Sequence, residues 1–145
     1  HRNMRRRSLL LVLALTGAGC AGGAPSRLVT LGTPSGRGEI DFRVENRSAS
    51  VVNNLYLVES SRVAAAPREA LLPGALEQSG LWGDDLLRSG LEVGGQLRVP
   101  VPAAGRYDVR VVDRNGREQH VAGLRLMAGG RYTLELEEGG WRAPR

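Results

Sequence analysis

The sequence predicts an all-β domain, folded as an antiparallel sandwich of six or seven short strands. Two observations carry that expectation. Apolar residues recur at every second position over most of the chain beyond residue 39, and Gly- or Pro-containing turns separate the alternating runs. A third observation limits it: the alternation is lost between residues 61 and 90, where a short helical or loop insertion is expected.

Taken in order, Ile40, Phe42 and Val44 alternate with Asp41, Arg43 and Glu45, as in a strand with one buried and one wet face. Asn46–Ser50 is polar and reads as a turn. Val51–Ser60 is strand-like again, with Val52, Tyr56 and Val58 assigned to one face and Leu55 and Leu57 to the other. Apolar residues on both faces imply a strand covered on both sides. Pro67–Gln78 contains good helix formers interrupted by Pro73-Gly74, so one short helix or an ordered loop is expected there. Alternation returns with Leu97, Val99 and Val101, and then with Tyr107, Val109 and Val111. Asp113-Arg114-Asn115-Gly116 is a hairpin signal, placing a return strand over Arg117–Leu126. Ala128-Gly129-Gly130 turns the chain into a last strand carrying Tyr132, Leu134 and Leu136. Short strands in this number, joined by such turns, point to an immunoglobulin-like or transthyretin-like sandwich.

The first nineteen residues have the layout of an export signal. Arg5-Arg6-Arg7 is a positive cluster, Leu9–Leu15 a continuous apolar run, and Thr16–Gly19 a small-residue exit. Residues 1–3 precede Met4, the expected start. The apolar run is about half the roughly twenty residues that a spanning helix needs. Cys20 is the chain's single cysteine, and it stands where a lipobox places the lipidated residue. Ala18 and Gly19 fit that pattern, while Gly17 occupies the usual leucine position. The alternative is an ordinary signal cleaved near Gly19 or Ala24. Residues 20–38 read as the lipidated cysteine and a flexible tether, 39–138 as the sandwich, and 139–145 as a tail.

Composition excludes several function classes. The net charge of +5 comes from 20 basic and 15 acidic residues, but Arg2, Arg5, Arg6 and Arg7 precede Cys20 and no acid does. Beyond Cys20 stand 16 arginines and 15 acids, interspersed, which argues against a nucleic-acid partner. A single cysteine allows neither an intrachain disulfide nor a CxxC site. His120 is the only histidine past the leader, and a nucleophile triad built on it is not expected. The chain has no lysine and no P-loop, and its glycines punctuate turns. No metal site and no cofactor is expected, and the chain is not read as an enzyme.

Trp82-Gly83-Asp84-Asp85 is the most distinctive local motif. An aromatic platform beside two carboxylates could hold a sugar, a cation or a partner's arginine, with Tyr56 as a neighbour. The competing reading makes Trp82 a core plug and the aspartates turn-shaping residues. Adjacent carboxylates diverge, so Asp84 and Asp85 do not form the opposed pair of a glycosidase.

The order of these pieces resembles a family of small secreted bacterial β-sandwich proteins of unknown function. Its members carry a strand ending in Leu-Tyr, a Trp-Gly-x-Asp-x-Leu segment and a Tyr-Asp-Val-Arg strand. Some bear the labels argininosuccinate lyase or Tat-pathway signal protein. The matching pieces here are Phe42–Asn46, Leu55-Tyr56, Trp82–Leu87, Tyr107–Asp113 and Gly116–Glu118. Twenty-five residues separate Tyr56 from Trp82, a longer crossing than the family makes, so the segment around Pro67–Gln78 is an insertion. The resemblance implies a sandwich and a secreted setting, but no activity.

Together these readings lead to a non-catalytic bacterial envelope lipoprotein. Its expected place is the outer membrane, facing the periplasm, or secretion if Cys20 is not lipidated. Its expected partners are the membrane, through the lipid anchor, and another envelope protein or polymer. The alternative is a small-ligand, carbohydrate or cation receptor, or an enzyme, using the Trp82–Asp85 loop.

Overall fold

A computed structural model describes residues 23–72 and 80–143. The leader, Cys20 and part of the expected Pro67–Gln78 element therefore lie outside the described residues. Among the described residues seven strands form two sheets: β1 (Arg27–Thr30), β2 (Asp41–Asn46), β3 (Val52–Glu59), β4 (Gln96–Arg98), β5 (Gly105–Asp113), β6 (Glu118–Leu126) and β7 (Arg131–Leu136). The four-stranded sheet has the order β1-β7-β2-β4 and the three-stranded sheet the order β3-β5-β6. All pairs are antiparallel except β2–β7, which is parallel. The protein is an all-β sandwich.

The core lies between the sheets, and the alternating residues build it. Phe42, Val44, Leu134 and Leu136 from one sheet meet Leu55, Val109, Val111 and Leu126 from the other, all fully buried. Strand β3 departs from the expected faces. A bulge between Val52 and Asn54 returns Val52 to the core side with Leu55. One extra residue shifts a two-residue period by one step, so strict alternation misplaces everything on one side of the bulge.

The sandwich also extends past both expected boundaries. Arg27–Thr30, within the stretch read as tether, forms β1 and pairs with β7 from Arg27↔Glu135 to Thr30↔Tyr132. At the other terminus, Arg142 bridges Glu118 through two backbone hydrogen bonds of 2.8 and 2.9 Å. Gly23 and Gly139 approach so closely that a Cβ on Gly139 would lie 2.5 Å from the Gly23 carbonyl oxygen. Both described ends of the chain thus leave the sandwich at one end. Ser26 helps to hold them: its hydroxyl bonds Gln119 Oε1 and accepts from the Glu137 amide.

That same end carries a polar interior. Asn46 Nδ2 donates to the carbonyls of Ser50 and Leu91 at 2.9 and 3.0 Å. Asp113 accepts from Ser50 Oγ, and from the Arg117 amide and Nε, each at 2.8 Å. Burial raises the Asp113 pKa, but these hydrogen bonds and the Arg117 charge outweigh it and leave the pKa below its ordinary 3.8. The β5–β6 hairpin turns where Asn115-Gly116 placed it. The loop is Arg114–Arg117, turned by Gly116 N to Asp113 O at 3.0 Å, with Gly116 at φ +81°. Gly, unlike other residues, takes that left-handed position without strain.

Candidate functional site

The non-alternating segment folds over the outer face of the three-stranded sheet. It begins with a one-turn helix, α1 (Ser60–Ala64), and continues into a 3-10 turn at Arg68–Leu71. Val63, Leu71 and Leu81 from this segment pack with Trp82 against Tyr56 and Val58 of β3. Apolar residues on the second face of β3 thus have a cover, and a second, smaller core lies beneath it.

Trp82 is the largest residue of that core and is 2 % exposed. It sits on the β3–β5–β6 rung formed by Tyr56, Arg110 and His120, which the strand register aligns on one face. The Arg110 guanidinium carbon lies 5.5 Å from the indole centroid, within cation–π range. His120 meets the same indole edge-on, with ring centroids 5.2 Å apart at 88°. The indole N–H is buried and has no hydrogen-bond partner among the described residues. Apolar area, the Arg110 guanidinium over the ring and the edge-on His120 hold the indole in place.

Arg110 is itself 2 % exposed and pairs with Glu118, with Nε and Nη2 at 2.7 and 2.6 Å from Oε1. Its remaining donors reach the covering segment, through Nη2 to the Leu72 carbonyl at 2.8 Å and Nη1 to the Ala70 carbonyl at 3.5 Å. A buried guanidinium therefore ties the sheet to the backbone of its cover. Beside it, Asp108 accepts from Ser60 Oγ at 2.6 Å and from the Gly123 amide at 3.0 Å, and its second oxygen lies 2.7 Å from His120 Nε2. This set places Ser, Asp and His in contact, but in the wrong order for nucleophile activation. The serine bonds the aspartate instead of the imidazole, so the hydroxyl lacks the histidine base of a Ser-His-Asp triad.

The four residues singled out in the sequence fall in three environments. Trp82 is inside, and Tyr56 is half-buried and packs into the same small core. Asp85 folds back onto the outer edge of β3. Its Oδ1 accepts from the Leu55 and Leu87 amides at 2.9 and 3.0 Å and its Oδ2 from Asn54 Nδ2 at 2.7 Å, while Leu86 N donates to the Leu55 carbonyl. The carboxylate thereby stands in for a neighbouring strand, satisfying backbone groups that an edge leaves open. Asp84 is exposed and makes no hydrogen bond or ion pair with the described residues. Asp113 belongs to the polar interior around Ser50 and Arg117, and no group of three His, Cys, Asp or Glu that could hold a metal ion occurs among the described residues.

Sequence reasoning missed Arg110, Glu118, Asp108 and Ser60. Outward positions of β5 carrying Asp108 and Arg110 read as a wet face, yet both are buried. The available signal was Tyr56 and Val58: a covered outer face on β3 implies a covered outer face on the strand beside it. No protein-family model, curated protein or solved structure matches the chain.

Proposed function

We propose that the chain is a lipid-anchored, non-catalytic protein of the bacterial envelope whose β-sandwich binds or scaffolds another envelope component. On this reading Arg5–Arg7 and Leu9–Leu15 direct export, Cys20 carries the lipid, and the outer membrane, on its periplasmic side, is the destination.

The observation that carries the non-catalytic reading is the burial of Trp82. A binding lip needs its aromatic face open to a ligand, and here Arg110 and His120 occupy the ring while Asp85 is committed to the β3 edge. Of the groups that a receptor or enzyme at this loop would use, Trp82 and Asp85 are already engaged within the chain, which leaves exposed Asp84 without an aromatic platform beside it. The anchor reading draws support from the common exit of Gly23 and Arg142, since a tether leaving one end holds the rest of the sandwich off a bilayer.

The test is metabolic labelling with palmitate, with and without globomycin, comparing the natural chain with Cys20→Ser. Label that depends on Cys20, and precursor accumulation under globomycin, are expected. Equal processing of both chains without label would remove the anchor from the account.

A further inference from the structure

We propose that Arg43, Arg98 and Arg131, on the exposed face of the four-stranded sheet, form a binding site for a phosphate-type oxyanion. The inference does not depend on the anchor or on the Trp82 cluster.

The two ends of that face differ in charge balance. Toward the chain termini, Arg27 and Arg47 share Glu135 and Glu137, at N–O distances of 3.0, 3.4 and 3.1 Å, so cations and acids match. Toward the opposite end, three guanidiniums meet two carboxylates, Asp41 among them and Glu39 beside Arg98. Arg43 holds Asp41 closely, with Nε 3.0 Å from Oδ1, and spends another donor on Gln96 Oε1 at 3.3 Å. Arg98 and Arg131 stand farther off, at 3.7 and 4.0 Å. Arg98 also lies 3.6 Å from Glu39, an acid whose side chain is 90 % exposed. None of these longer approaches is a hydrogen bond, so Arg98 and Arg131 are engaged only in loose ion pairs, and their guanidiniums donate no hydrogen bond to the described residues.

Register explains the convergence. Arg43 pairs with Arg98 across β2–β4 and with Thr133 across β2–β7, while Asp41 pairs with Arg131. Adjacent strands therefore present the three arginines on neighbouring rungs of one face. Between Arg43 and Arg131 lies a shallow depression of about 160 Å³, bordered also by Leu31, Asp41, Gln96, Tyr132 and Thr133, with Arg98 outside its lining but paired with Arg43 across β2–β4. The surrounding cations, with the Arg43 hydrogen bond foremost, hold the Asp41 carboxyl below its ordinary pKa. Planar forks with free donors match the geometry of a tetrahedral oxyanion, and the Thr133 hydroxyl can add a neutral donor. Such a group occurs as free phosphate and as a lipid headgroup, and the experiment separates the two.

The full chain is titrated calorimetrically with inorganic phosphate at constant ionic strength, and its sedimentation is measured with vesicles of phosphatidylcholine alone or mixed with phosphatidylglycerol. Three exposed-site variants accompany it: Arg98→Gln, the double variant Arg98→Gln/Arg131→Gln, and Arg27→Gln from the balanced end. Saturable binding that weakens about tenfold or more in the double variant, with Arg27→Gln unchanged, is the expected result. Binding of phosphate alone identifies a soluble anion, and arginine-dependent binding to the anionic vesicles identifies a headgroup. No saturable binding in either arm, or equal binding by the double variant and the natural chain, overturns the proposal.

Discussion

The three-stranded sheet is covered on both faces, and the two covers are made of different material. On the inner face, Leu55, Val109 and Val111 meet Phe42, Val44 and Leu134 in an apolar contact that needs no particular partner atoms. On the outer face, Trp82 closes over the Arg110–Glu118 pair, with Asp108, His120 and Ser60 alongside. Apolar packing degrades gradually as methylenes are lost, whereas a buried ion pair fails abruptly when one partner goes. The inner cover therefore sets whether the sandwich exists. The outer cover sets whether one segment lies down on it.

Substitutions on the two faces should separate these roles. Phe42→Ala is expected to cost about 3–5 kcal/mol and to shift the urea midpoint equally for every probe. Trp82→Ala removes comparable area but is expected to act locally. In hydrogen exchange the amides of Ala65, Ala66 and Ala70, bonded within the covering segment, should lose protection while those of β2, β5 and β7 keep theirs. Uniform loss of protection would mean that the two covers form one cooperative unit.

Arg110→Met should be comparably costly, about 3–5 kcal/mol, because it breaks a buried ion pair by removing one partner. Adding Glu118→Leu should recover most of that loss, since the buried carboxylate is then removed together with the guanidinium. The edge contacts come next. Asp85→Ala, which strips acceptors from the Leu55 and Leu87 amides, is expected to cost about 1–3 kcal/mol, and exposed Asp84→Ala less than about 0.5 kcal/mol.

The smallest effect is the pH response, and it lies away from both covers. The Ala49 amide and the Arg117 guanidinium lower the Glu138 pKa from its ordinary 4.5, and Asp113 and Asp41 are lowered from 3.8. A depressed folded-state pKa contributes stability that is fully present above the unfolded value. That contribution disappears as pH falls through the folded value. Denaturant midpoints should thus hold through neutral pH and decline below about pH 4. Asp113→Asn should flatten the decline.

The same contrast explains what the sequence revealed. The inner face follows a two-residue period, so Ile40, Phe42, Val44, Tyr107, Val109, Val111, Tyr132, Leu134 and Leu136 were all legible as core, and all are buried. Strand β1 escaped because four residues are too few to show a period, and Val52 was misassigned because a bulge leaves no compositional mark. The outer cover has no period at all. Its contacts join Ser60 to Asp108 and Leu72 to Arg110, pairs far apart in the chain that only the folded register brings together. Trp82 stood out as distinctive, but residue type alone did not say whether its face was occupied. Asp85 was legible as a turn-shaping residue, yet its service to the β3 edge depends on where that edge lies.

The most direct test concerns Trp82 as an internal plug. With Trp141→Phe, the fluorescence of the chain reports on Trp82 alone. A blue-shifted emission that resists acrylamide quenching, and that moves to the position of a solvated indole on Arg110→Met, is the expected result. Emission at the solvated position in the otherwise unaltered chain, freely quenched by acrylamide, would contradict the buried plug and return the Trp82–Asp85 loop to the surface as a binding lip.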